Sequence, residues 1–139
     1  MTLGGLYHII ADIMAKVLIV DDEEDIVTAL SIRMKAAGYE VAAAYDGMEG
    51  LEKARKENPD LILLDIMLPK LDGYKVCRML KFDEKFKHIP VVMVTAKIAD
   101  VQKKMGMDVG ADAYVTKPFN PEVLMTTIKE VLAKAKKEG

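Results

Sequence analysis

Among 139 residues there is a single cysteine, Cys77, so the chain cannot close a disulfide on itself. Cys77 falls in a stretch of helical pattern, where it reads as inert packing in a reducing compartment. An excess of one charge is equally lacking. Twenty basic against 22 acidic side chains leave a net charge of −2, so no overall field points to nucleic acid or to an anionic membrane surface. Proline and glycine are sparse, 5 and 9 residues, against 51% hydrophobic and 30% charged residues. That is the composition of a packed globule and not of a disordered chain. Long hydrophobic runs are missing too. The opening "MTLGGLYHIIADIMA" comes nearest, but His8 and Asp12 interrupt it well short of the ~20 apolar residues of a membrane span. No Lys or Arg precedes its apolar patch, as a secretory signal requires. These absences lead to the expectation of a cytoplasmic protein with no membrane insertion and no direct nucleic-acid contact.

What is present is a regular alternation. A chain of this length suits one ordinary domain and is too short for two. Met14 directly precedes "AKVLIV", where the pattern begins, so residues 14–139 read as the domain and residues 1–13 as an upstream extension of unknown role. From Lys16 on, short β-branched or leucine-rich runs alternate with longer stretches of helical period, the signature of βα units around a parallel sheet. Five strands are expected: Lys16 to Val20, Glu40 to Ala44, Leu61 to Leu64, Val91 to Val94 and Ala113 to Thr116. The first, third and fourth are almost wholly apolar, as central strands covered on both faces should be, whereas the second, followed by "YDG", looks peripheral. Helix boundaries are marked by Gly38 after "IRMKAA", by Asp72 before Gly73, and by Asn120 followed by Pro121. In the last helix Leu124, Ile128, Val131, Leu132 and Ala135 share one face. No linker, low-complexity tract or internal repeat interrupts the stretch from Lys16 to Lys137, and no output domain is expected.

In an open parallel sheet ligands bind beyond the carboxyl ends of the strands, so those ends are where chemistry is sought. They carry Asp21, Asp22 and Glu23 after the first strand, Asp65 after the third, Thr95 and Ala96 after the fourth, and Lys117 and Pro118 after the fifth. Singly, each has an ordinary explanation: Asp21 or Asp22 as a helix cap, Thr95 as a β-favouring residue, Lys117 as a surface cation. Jointly they say more. If the first and third strands are neighbours, Asp21, Asp22 and Asp65 crowd together, each like-charge pair costing roughly 1 to 4 kcal/mol. A hard divalent cation such as Mg²⁺ suits such all-oxygen ligands and keeps waters that substrate oxygens can replace. Beside it, the Thr95 hydroxyl and the Lys117 ammonium would complete a cradle for a tetrahedral anion, with room left by the small Ala96. Asp65 is then the natural in-line nucleophile for a phosphoryl group.

The motifs "VLIVDDE", "LILLDIMLP", "VVMVTAK" and "GADAYVTKPF" together resemble the receiver domain of two-component response regulators, from Lys16 to Lys136. The resemblance implies a flavodoxin-like, doubly wound (βα)5 fold with a five-stranded parallel sheet of order 2-1-3-4-5. It implies that Asp65 takes a phosphoryl group from a phosphohistidine on a sensor histidine kinase or phosphotransfer protein. It further implies that Asp22, Asp65 and the Met67 backbone carbonyl hold Mg²⁺ or Mn²⁺, with Asp21 acting through water, and that Thr95, Ala96 and Lys117 contact the phosphoryl group. Tyr114 would be a switch aromatic answering to Thr95, and the bond preceding Pro118 would be cis. Such a domain is a regulatory phosphoacceptor rather than an enzyme, supporting its own phosphorylation and slow dephosphorylation. Met67 and Lys97, flanking the site, would tune that hydrolysis. Its readout would be a protein partner on the last two helices and the fifth strand. Gly50 departs from the family's usual Ala and is expected to cost up to about 1 kcal/mol.

Another class with the same chemistry is the Mg²⁺-dependent, haloacid-dehalogenase-like phosphohydrolase. It needs an acid two residues after the nucleophile, where this chain has Met67. A receiver-like scaffold that no longer accepts phosphate is disfavoured because every expected site residue is present.

Overall fold

The computed structural model describes residues 15–96 and 109–138. Five strands form one parallel sheet: β1 (Lys16–Val20), β2 (Glu40–Ala44), β3 (Leu61–Asp65), β4 (Val91–Thr95) and β5 (Ala113–Thr116). Their order across the sheet is β2-β1-β3-β4-β5, with β2 at an edge. Four helices join them among the described residues: α1 (Glu24–Ala36), α2 (Gly47–Glu57), α3 (Gly73–Lys81) and α4 (Pro121–Glu138). The connection between β4 and β5, where a further helix is expected, lies largely outside the described residues, as does Lys97.

The run Leu61–Leu64 shows how the sheet divides the interior. Side chains alternate across a strand, so Leu61 and Leu63 join one core while Ile62 and Leu64 join the other. On the first face they meet Val27, Leu30 and Met34 of α1 and Leu124, Ile128 and Leu132 of α4. On the second they meet Leu51 and Ala54 of α2 and Val76, Cys77 and Leu80 of α3. A strand covered on both faces can be apolar throughout, which is why β3 lacks the alternation of a half-exposed strand.

The helix boundaries follow local chemistry. Asp46 Oδ1 accepts a hydrogen bond from the Glu49 N–H at 2.8 Å while Glu49 Oε1 accepts one from the Tyr45 N–H at 2.6 Å, a reciprocal cap on α2. Asp72 accepts from the Lys75 N–H at 3.0 Å to start α3, and Asn120 accepts from the N–H groups of Glu122 and Val123 to start α4. Beyond α1, Gly38 follows the C-cap Ala37 with φ at +96°.

Two expectations change. β3 and β4 each run one residue further, to Asp65 and Thr95, because the ladder continues: Asp65 pairs with Val94 and Thr95 with Thr116. The two residues are therefore held by the sheet itself and not by a loop. The second change concerns Gly50, which faces Val20 so closely that a Cβ there would lie 2.7 Å from Val20 Cγ1. The glycine is required by packing against β1 and is not simply a weak helix former.

Candidate functional site

All strands being parallel, their carboxyl ends open on one edge, and the reversal of strand order falls between β1 and its two neighbours. Asp21 follows β1, with its N–H bonded to Ala44 O at 3.1 Å, and Asp65 ends β3 beside it. One carboxylate oxygen from each of Asp21, Asp22 and Asp65 lies within 4.8 Å of the others. Asp21 and Asp65 are buried and Asp22 is exposed.

Lys117, just past β5, reaches into this cluster. Its Nζ lies 2.8 Å from Asp21 Oδ2, 2.9 Å from Asp65 Oδ2 and 3.2 Å from Glu23 Oε1. The Lys117–Pro118 peptide is cis, and the Lys117 N–H donates to Thr95 O at 2.9 Å, tying β5 to the end of β4. Burial works against the charge on Lys117, but its hydrogen bonds to Asp21 and Asp65 outweigh this and hold its pKa above the ordinary lysine value. Burial raises the Asp65 carboxyl above the usual carboxylate range. The hydrogen bond from Lys117 opposes that shift and the charge of Asp21 adds to it.

The second oxygen of Asp65, Oδ1, accepts a hydrogen bond from the Met67 N–H at 3.1 Å, so the turn after β3 folds back on the carboxylate. That turn is fixed further by the Gly73 N–H, which donates to Ile66 O at 2.9 Å. Gly73 sits so near that a Cβ would lie 2.2 Å from Asp65 O, and only glycine lets α3 begin there. The Met67 side chain is 80% exposed at the rim.

Thr95 is buried at the end of β4, on the strand next to Asp65, and Ala96 follows it exposed. Tyr114 pairs with Met93 across β4 and β5 and leans against the α2–α3 core. Its hydroxyl is buried with no hydrogen-bond partner among the described residues, and burial raises its pKa.

Capping does not explain the aspartates. Glu23, not Asp21 or Asp22, occupies the N-cap position of α1 and makes no side-chain cap bond. Asp21 Oδ1 accepts from the Glu23 N–H at 2.9 Å, ahead of the helix. Glu23 has no expected role from the sequence, although three consecutive acids after β1 signal that more than one of them can face Lys117.

The donor set fits a hard divalent cation: carboxylate oxygens of Asp21, Asp22 and Asp65 in a cluster, two of these residues buried, with the Lys117 ammonium paired to Asp21, Asp65 and Glu23. A cavity of about 510 Å³ lies at the opposite end of the sheet, lined by Asp60, Lys81, Pro90 and Asp112 among others, and does not include Asp65. No described helix is long and apolar enough to cross a membrane.

Comparison with known proteins points to one family. Residues 17–129 match the family described as the response regulator receiver domain. The chain is 47% identical over 120 residues to the alkaline phosphatase synthesis transcriptional regulatory protein PhoP of Bacillus subtilis, covering 86% of this chain and 49% of that protein. It thus spans about half the length of the curated relatives it matches. A CheY-like response regulator receiver domain protein from Methanospirillum hungatei superposes with a TM-score of 0.83 at 34% identity, over 91% of this chain and 99% of that one. The receiver domain of a sensor histidine kinase from Pseudomonas aeruginosa, solved with a magnesium ion coordinated in the active site cleft, superposes with a TM-score of 0.79 at 26% identity, covering 86% and 98% of the two chains.

Proposed function

The chain belongs to the response regulator receiver domain family, a family of regulatory phosphoacceptors in two-component signalling, and from that premise we propose that Asp65 is its phosphoacceptor. The observation that carries the proposal is the convergence of Asp21, Asp65 and Lys117 from the ends of three strands, with Lys117 Nζ 2.8 and 2.9 Å from the two carboxylates. A phosphohistidine on a sensor histidine kinase or phosphotransfer protein is the donor. A carboxylate oxygen of Asp65 attacks phosphorus in line and the phosphorus–nitrogen bond breaks. The imidazole leaves and takes a proton from solvent on the nitrogen that bore the phosphorus. When bound, Mg²⁺ or Mn²⁺ supplies neutralisation of phosphoryl oxygens. Asp21, Asp22, Asp65 and the Met67 backbone carbonyl are the groups that would hold it.

Lys117 is placed to bind a phosphoryl oxygen once one is carried by Asp65, with Thr95 and Ala96 at the end of β4 lining the other side. Rigid mounting on β3 keeps the nucleophile in line, and proximity is the larger part of the chemistry. Slow loss of the phosphoryl group to water follows from the exposed rim at Met67 and Ala96. Thr95 and Tyr114 form the proposed switch: the Tyr114 hydroxyl, buried without a partner among the described residues, gives the inward position little to hold it. The readout surface is α4 and β5 with the segment between β4 and β5, and a protein partner is its target. Residues 14–139 form the receiver and residues 1–13 an extension.

Incubation with Mg²⁺ and acetyl phosphate, followed by intact mass, tests the proposal. Wild type should gain one phosphoryl group, labile to base, and Asp65→Asn should gain none. Steady turnover of an unrelated phosphomonoester would instead favour a phosphohydrolase.

A further inference from the structure

Asp65 and Asp21 have all their carboxylate oxygens engaged. In Asp65, Oδ1 accepts from the Met67 N–H at 3.1 Å and Oδ2 from Lys117 Nζ at 2.9 Å. In Asp21, Oδ1 accepts from the Glu23 N–H at 2.9 Å and Oδ2 lies 2.8 Å from Lys117 Nζ. An oxygen that carries a charge-assisted hydrogen bond is a poorer nucleophile, so the ammonium must loosen its hold on Asp65 before that oxygen can attack. The ammonium would then keep Asp21 but lose one of its two buried counter-charges, a costly step for a side chain that is itself largely buried.

Glu23 offers the alternative. Its Oε1 lies 3.2 Å from Lys117 Nζ, and its side chain is 61% exposed where those of Asp21 and Asp65 are 4% and 8% exposed. It sits at the N-cap of α1 without making a cap bond, so helix start does not occupy its carboxylate. Lys117 has three protons to share, and the three carboxylates around it span the path from the buried nucleophile to the mouth of the site.

We infer that Glu23 is a positioning residue: it gives the Lys117 ammonium a second partner at the mouth of the site, so that Asp65 Oδ2 is freed for a phosphoryl donor without leaving the cation on Asp21 alone. The inference rests on Asp65 being the phosphoacceptor. It assigns Glu23 no contact with the phosphoryl group.

Glu23→Gln and Glu23→Asp test it, with Mg²⁺ alone titrated by calorimetry and phosphorylation by acetyl phosphate timed at saturating Mg²⁺. Both variants should melt as wild type does, since no cap bond is lost. In Glu23→Gln the ammonium stays on Asp65, so the rate at saturating Mg²⁺ should fall about threefold to fivefold, the worth of one partly exposed ion pair. Glu23→Asp, charged but shorter, should fall between. A lowered Mg²⁺ affinity with an unchanged or faster rate at saturation would overturn the inference, because bulk loss of negative charge explains that result. Should wild type take up no phosphoryl group, the Asp65 reading fails and the inference with it. Uptake by wild type with Glu23→Gln equally fast sinks the Glu23 role alone.

Discussion

Both Asp65 oxygens are hydrogen-bonded, and still burial raises its pKa, with Asp21 adding to the shift. The ionised carboxylate is thus a cost that the folded chain bears and the unfolded chain does not. Between the ordinary carboxylate pKa and the raised one the folded state binds more protons, so stability falls as pH rises through that window. Asp65→Asn removes the cost while leaving Lys117 paired with Asp21 and Glu23. Its melting temperature at neutral pH should exceed that of wild type, and the gap should close as pH drops below the ordinary carboxylate range. Equal melting at neutral pH would contradict the direction of the shift. Cys77 gives a second test. Its thiol is buried, donates to Val109 O at 3.3 Å and has its pKa pushed up to about 12, so alkylation at neutral pH should await unfolding. Asp65 and Lys117 were legible from residue type and position at strand ends. The Glu23 contact was not, because it depends on which way a long side chain lies.

Packing decides which element-scale expectations hold. Helix propensity alone says that Gly50→Ala should stabilise α2 by up to about 1 kcal/mol. Val20, β-branched and confined in β1, stands 2.7 Å from where the new Cβ would go, and a stiff χ1 leaves it little room to yield. Gly50→Ala should therefore lose stability, by about 1 to 3 kcal/mol, read from the urea midpoint. A gain would mean that β1 and α2 adjust more freely than their contact suggests. Lys81 ties three elements at the other end of the sheet. Its Nζ donates to Ile89 O at 2.8 Å and Asp112 Oδ2 at 2.9 Å, and the same oxygen accepts from the Val91 N–H at 2.7 Å. Lys81→Ala should cost on the order of 2 kcal/mol, again by urea unfolding, with phosphorylation of Asp65 retained. The strands were legible to within a residue because buried runs bounded by polar residues leave few choices. Their last residues were not, since whether Asp65 and Thr95 continue the ladder depends on the neighbouring strand.

At the scale of the molecule, the apolar strands and helical stripes already implied a parallel sheet with two covered faces, and the strand ends implied where chemistry must sit. The order β2-β1-β3-β4-β5 then brings Asp21 and Asp65 together between neighbouring strands. Periodicity alone does not yield that order; it came from the resemblance of the motifs to receiver domains. The proposed phosphoacceptor stands at the carboxyl ends of the strands and the proposed readout surface on β5 and α4 of the same fold, so charge added at Asp65 would act close to what it must bias. The most direct measurement of the central claim is to load the protein from acetyl phosphate with Mg²⁺, reduce the acyl phosphate with borohydride to a stable alcohol, and map the marked residue by peptide mass. A mark on Asp65 and on no other carboxylate is the predicted result. A mark on Asp21, Asp22 or another residue, or none in protein shown to be folded, would contradict it.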